Sequence, residues 1–123
     1  MPRLLRALRG AVAITEDTPE EVASQVEALL REAFARNGVA TEDLVSIIFT
    51  ATDDIHSVFP AQAARERLQL ADVPLLCARE LNVEGALPGV IRTLIHFYTD
   101  KERHEVQHVY LGSATSLRPD LDV

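Results

Sequence analysis

The sequence predicts an α+β domain, a mixed sheet of about five strands with two helices on one face. Three observations carry this expectation. A capped amphipathic stretch starts at Thr18, and a second helix-compatible stretch follows Pro60. Five apolar, β-branched runs of strand length surround them. Their order, β-α-β-α-β-β-β, is that of an α+β architecture rather than a regular alternation of strand and helix. The length of 123 residues gives one hydrophobic core and one domain, spanning 1–123.

Residues 4–14 are small, apolar and β-compatible, with Arg9 embedded among them. Thr18-Pro19-Glu20-Glu21 then reads as a helix start. The threonine hydroxyl can accept from the third amide, proline suits the first turn, and Glu21 can reach back to close a capping box. Val22, Val26, Leu29, Leu30 and Ala33 recur at helical spacing, and Asn37-Gly38 supplies the stop. One apolar stripe and one charged face place this helix against a sheet.

Residues 45–52 (VSIIFTAT) read as a buried strand, 53–57 as a polar turn, and Pro60 to about Leu70 as a short helix. Strands are expected at 73–83 and 90–98, separated by a turn over 84–89 that carries Gly and Pro. A last strand is expected over 106–111. Residues 113–123 form a C-terminal tail with Leu117-Arg118-Pro119-Asp120 in it, expected to be mobile.

A net charge of −7, with no basic run, excludes a nucleic-acid surface. No apolar run is long enough to span a membrane, and arginines interrupt the N-terminal apolar stretch too often for a signal-peptide core. The single cysteine, Cys77, rules out an intrachain disulfide and fits a reducing compartment, so a cytoplasmic location is expected. Only Lys101 among 12 basic residues is a lysine. That bias suits recognition of planar carboxylates by arginine forks, although codon bias in a GC-rich genome is the preferred explanation for most of these arginines.

His104-Glu105-Val106-Gln107-His108 matches the HExxH pattern of zinc hydrolases. That chemistry needs a helix to bring both histidines to one face, and a third ligand. After His108 only Asp120 and Asp122 could serve, and the composition of 106–111 favours a strand, so the zinc reading is set aside. Asp53, Asp54 and His56 read as a solvated turn. No metal is expected.

Arg92 is the residue that needs explaining. It interrupts Val90-Ile91-Arg92-Thr93-Leu94-Ile95, where an unpaired buried charge would cost several kcal/mol. A structural ion pair with Glu80 on a neighbouring strand and a ligand-binding role explain it equally well. Arg9 and Arg118, with Cys77, Glu80 and Tyr110 at strand ends, would suit an anion-binding pocket. Cys77 and Glu80 are three residues apart, however, so an ideal strand points them to opposite faces. Sharing one pocket would require a bulge or the end of pairing.

At these residues the chain resembles the AroH class of chorismate mutases, small trimeric bacterial enzymes. The likeness runs through Arg6-Ala7-Leu8-Arg9-Gly10-Ala11, Glu16-Asp17-Thr18, Thr50-Ala51-Thr52-Asp53-Asp54 and Val58-Phe59-Pro60-Ala61 with Arg65-Glu66. It continues through Val73-Pro74, Cys77, Glu80, Gly85, Leu87, Ile91-Arg92 and Thr99-Asp100. It closes with His108-Val109-Tyr110-Leu111, Ala114 and Leu117-Arg118-Pro119-Asp120-Leu121. The resemblance implies a trimeric pseudo-α/β barrel with active sites between subunits. It implies rearrangement of chorismate to prephenate, on the route to phenylalanine and tyrosine, with no cofactor. Arg92 would donate to the breaking ether oxygen, Arg9 would bind the enolpyruvyl carboxylate, and Tyr110 would bond the same end. Glu80 would accept from the ring hydroxyl and hold Arg92, with Cys77 beside that hydroxyl. Phe59 would form an apolar wall, and Arg65 and Arg118 would line the mouth. Arg9 is expected from a different chain than the Cys77, Glu80 and Arg92 group, and the tail is expected to order on ligand binding. Gln62 departs from a lysine common in relatives, and Leu76 from a small polar residue. Imine deaminases of the RidA type, also trimers with an intersubunit arginine, lack supporting motifs here. A non-catalytic anion-binding trimer would have no need for Glu80.

Overall fold

The computed structural model describes residues 3–117. Five strands, β1 (Leu4–Ala13), β2 (Leu44–Ala51), β3 (Leu75–Arg79), β4 (Val90–Thr99) and β5 (Val109–Leu111), form one sheet in the order β3-β2-β4-β1-β5. Helix α1 (Pro19–Asn37) joins β1 to β2, and α2 (Pro60–Leu68) joins β2 to β3. Short 3₁₀ segments occupy Thr41–Asp43, Arg103–Glu105 and Gly112–Leu117. The expected element order is therefore observed.

The position of the helices follows from topology. β4 runs antiparallel to both β1 and β2, and β3 runs parallel to β2, so β1, β2 and β3 share one direction. The two helical crossovers step the same way across the sheet. Their common right-handed sense puts both helices on one face, where α1 and α2 also touch each other.

Local chemistry sets the ends. Thr18 Oγ1 accepts from the Glu21 amide at 3.1 Å and Pro19 opens α1. The Glu21 carboxylate does not turn back to Thr18 as a capping box would; it takes the Thr15 amide and hydroxyl at 3.3 and 3.1 Å. Gly38, at φ 61°, closes the helix. β3 and β5 are shorter than the sequence suggests. Pro74 has no amide to donate to a ladder and directly precedes β3. Arg103–Glu105 turn as 3₁₀ before β5, so His104 and His108 share no helical face.

The two faces of the sheet differ. Leu8, Ile47, Phe49, Ile91, Ile95 and Phe97 alternate onto the helix side and are fully buried against Val22, Val26, Leu29 and Leu30 of α1. Gly10 marks the tightest approach. A Cβ there would lie 2.9 Å from the Val109 carbonyl oxygen and 3.1 Å from Leu29 Cδ1. Asn37, 1% exposed, ties the C-terminus of α1 to the segment before β5. Its Oδ1 accepts from the Gln107 amide at 2.7 Å and its Nδ2 donates to the Gln107 carbonyl at 2.9 Å.

Among the described residues, the opposite face has no helical layer. Leu5, Leu76 and Tyr98, which alternate onto it, are 52%, 61% and 45% exposed. Only one corner is covered, where the turn Gly112–Leu117 folds over and Ala11, Val90, Tyr110 and Ala114 form a small second cluster.

Candidate functional site

Register places one row of residues across all five strands on the uncovered face: Ala78 on β3, Thr50 on β2, Arg92 on β4, Ala11 on β1 and Tyr110 on β5. Arg92 is central, with small neighbours on both sides that leave room above the sheet. At about 4.8 Å per strand, its backbone stands about 10 Å from that of Tyr110.

Glu80 follows the last residue of β3, and its amide still donates to the Ala51 carbonyl at 3.0 Å. Strand alternation therefore persists to Glu80 and turns its carboxylate onto the uncovered face. Glu80 Oε1 accepts from Thr50 Oγ1 at 2.6 Å and lies 3.2 Å from Arg92 Nε. The ion pair anticipated between neighbouring strands thus spans β2, with Thr50 beneath it. Only Nε of Arg92 is engaged, and its terminal nitrogens have no partner among the described residues. The side chain is 44% exposed. One held edge and one presented edge make a preorganised double donor for an anionic or ether oxygen.

Arg9 sits on the same face, opposite Leu94 and diagonal to Arg92 across the β1–β4 ladder. Its guanidinium makes no ion pair among the described residues. Within one chain, adjacent strands bring Arg9 and Arg92 to the same face. Tyr110 is 3% exposed beneath Gly112–Leu117. Arg118 lies outside the described residues.

Cys77 falls on the other side of the sheet, as alternation requires. Its sulfur accepts from the Ala61 amide at 3.3 Å, and burial pushes its thiol above the usual range. It lines a cleft of about 700 Å³ at the carboxyl ends of β2 and β3 and the start of α2, with Phe59, Pro60, Gln62, His56 and Arg79. Phe59 is 69% exposed, so this apolar ring is presented outward rather than packed. Arg65 is an exposed residue of α2 and does not line the cleft.

The anticipated residues are therefore brought together as two groups. Arg9, Glu80 and Arg92 occupy the uncovered sheet face, with Tyr110 in the same row. Phe59 and Cys77 occupy a cleft on the helix side. Among the described residues, Phe59 and Cys77 line one cleft while Arg9 lines a separate recess. No role was anticipated for Thr50; it stands within the Thr50–Asp54 stretch of the family likeness, but a threonine in an expected strand that also holds Ser46 and Thr52 reads as an ordinary strand residue.

The chain is similar to known proteins over nearly its whole length. Residues 5–121 match the family described as chorismate mutase type I. A chorismate mutase AroH of Thermus thermophilus is 46% identical over 120 residues, covering 97% of this chain and 98% of the relative. That of Bacillus subtilis (strain 168) is 38% identical over 120 residues, covering 98% and 94%. The solved structure of a chorismate mutase from Clostridium thermocellum superposes with a TM-score of 0.87 at 38% identity, covering 89% of this chain and 97% of that one.

Proposed function

The chain belongs to the chorismate mutase type I family, and we propose that it carries out its reaction at sites completed by a second copy, with Arg92 as the principal catalytic group. As a chorismate mutase it is an isomerase, converting chorismate to prephenate. The rearrangement is intramolecular: the ether C–O bond breaks as a new C–C bond forms, and no proton or electron need enter or leave. Two tasks remain for the protein. It must hold a flexible dianion in a compact chair-like shape, and it must stabilise negative charge growing on the ether oxygen.

The observation that carries the assignment of roles is the held Arg92. Nε is committed to Glu80 at 3.2 Å, and the terminal nitrogens face the open side of the sheet. They donate to the ether oxygen and an adjacent carboxylate, a contact that strengthens as the bond breaks. Arg9 binds the enolpyruvyl carboxylate, with Tyr110 at the same end. Glu80 accepts from the ring hydroxyl while orienting Arg92, and Cys77 lies beside that hydroxyl. Phe59 supplies an apolar wall. Arg65 and Arg118 draw the dianion in despite the net charge of −7; the first part of the expected tail, to Leu117, already folds over Tyr110.

A sheet bare on one face and a cleft open on the other support assembly as a trimer, each chain offering its sheet face to the cleft of the next. The exposed Leu5, Leu76 and Tyr98 would be covered in this arrangement. A role in phenylalanine and tyrosine synthesis fits the cytoplasm; no helix of the described residues is long and apolar enough to cross a membrane. The test is to follow loss of chorismate absorbance with purified protein and identify prephenate, alongside the mass in solution. Cofactor-free, chelator-insensitive turnover by a trimer is expected; a folded trimer without turnover would overturn the assignment.

A further inference from the structure

His108 is part of the HExxH pattern that the zinc reading could not use, and it makes a specific contact with a proposed substrate-binding residue. The Arg9 amide donates to His108 Nδ1 at 2.9 Å. A backbone amide can only donate, so Nδ1 must be the unprotonated nitrogen and the neutral ring carries its hydrogen on Nε2. Sheet register explains the contact. β1 and β5 pair only from Gly10 and Val109 onward, so the Arg9 amide lies just before the ladder begins. The His108 side chain stands in for the missing backbone acceptor.

His108 is itself held. Its neighbour Gln107 is clamped at both amide and carbonyl by buried Asn37. A rigid path therefore runs from the end of α1 through Gln107 and His108 to the backbone of Arg9. Arg6, Arg9, Arg103 and His96 line the same recess as His108. Among the described residues, β1, β4 and the 3₁₀ turn thus line this recess with three guanidiniums and a second imidazole, and the Arg6 guanidinium is paired with the Glu102 carboxylate at 3.3 Å. His96 Nδ1 is 3.2 Å from Ser46 Oγ.

We propose that His108 is a positioning residue for Arg9, and that only its neutral form does this. Protonation places a hydrogen on Nδ1, opposing the Arg9 N–H. The contact then becomes repulsive, and β1 shifts at the residue carrying the carboxylate-binding guanidinium. The proposal rests on the mutase reading, because Arg9 matters only if a carboxylate binds there.

The test compares wild type, His108→Asn and His108→Ala in chorismate turnover from pH 5 to 8. Asparagine places an acceptor oxygen near the Nδ1 position but does not titrate. His108→Ala is expected to raise KM about fivefold to tenfold at neutral pH, the effect of one lost hydrogen bond, with kcat changed less. His108→Asn should recover most of that loss and should lack a rise in KM that wild type shows in acid. An identical acid limb in wild type and His108→Asn, or unchanged KM in His108→Ala, would overturn the proposal. Nitrogen NMR of the His108 ring provides a readout independent of catalysis. It should report the Nε2–H form at pH 7.5 and a shift of the Arg9 amide as the ring titrates. A Nδ1–H form would refute the mechanism, whereas absent turnover in wild type would instead refute the mutase reading.

Discussion

Glu80 and Arg92 are bound to each other across an intervening strand. Their Oε1 and Nε atoms are 3.2 Å apart while Thr50, on β2 between them, donates to the same oxygen at 2.6 Å. The carboxylate is therefore oriented by a hydroxyl from below before it orients the guanidinium beside it. The arrangement explains how a charge can interrupt an apolar strand without destabilising it. The pair sits on a face that no helix buries, so neither partner bears the full desolvation cost of a core ion pair. The same opening leaves the terminal nitrogens of Arg92 available.

Arg92→Lys tests this division of labour. A lysine ammonium is a single flexible donor centre and cannot hold Glu80 through one nitrogen while presenting two others. Turnover of chorismate should fall by about a hundredfold to a thousandfold, as for loss of one preorganised transition-state donor. Binding of a ground-state analogue should weaken much less. Equal losses in affinity and kcat would show that Arg92 binds substrate and transition state alike.

The two groups of site residues lie on opposite faces of one sheet, which leads to a complementation experiment. Arg92→Ala should inactivate the sheet-face half. Phe59→Glu should disable the cleft half by placing a carboxylate beside a dianion, and an exposed side chain makes this change tolerable to the fold. Co-refolding the two variants should restore a sizeable fraction of activity, because some interfaces then pair an intact face with an intact cleft. No recovery from demonstrably mixed trimers would mean that each chain builds its own site.

Sequence reading recovered the helices and the three long strands because their signals are local: Thr18-Pro19 and Asn37-Gly38 around α1, Pro60 for α2, and apolar periodicity in β1, β2 and β4. It also required Cys77 and Glu80 to diverge, and they do. It overextended β3 and β5, since Leu81, Val83 and Val106 have strand-like composition but pairing depends on a partner strand distant in sequence. For the same reason the order β3-β2-β4-β1-β5, and with it Thr50 beneath the Glu80–Arg92 pair, was not legible. That Arg9 and Arg92 face the same side of one sheet was equally hidden, because spacing along the chain says nothing about which strands become neighbours.

Asn37 illustrates a structural role with a functional consequence. Asn37→Leu fits the apolar surroundings but leaves the Gln107 amide without its acceptor and the Gln107 carbonyl without its donor. Gln107 is itself exposed and both bonds are only part-buried, so water takes over some of the lost bonding and a loss of about 1 kcal/mol in stability is expected. Denaturant titration at fixed protein concentration would measure it. Because Gln107 precedes His108, KM for chorismate should rise in the folded fraction as well.

The last expectation concerns acid. Glu27 on α1 accepts from Arg31 Nε at 2.9 Å and from Arg67 of α2 at 3.1 Å. Arg31 first, and then Arg67, holds its carboxyl below the ordinary glutamate value. A carboxylate whose value is lower folded than unfolded contributes stability fully above the unfolded value, about 4.3. It loses that contribution as pH falls through the folded value. Glu27→Gln should therefore melt below wild type at pH 7, and the gap should close as pH falls below about 4. The effect should be modest, because Arg31 is 60% exposed and exposed pairs are screened. Melting curves from pH 7 to 3 would measure it; a gap that persists at the acid end would assign the contribution of Glu27 to packing between α1 and α2 rather than to its charge.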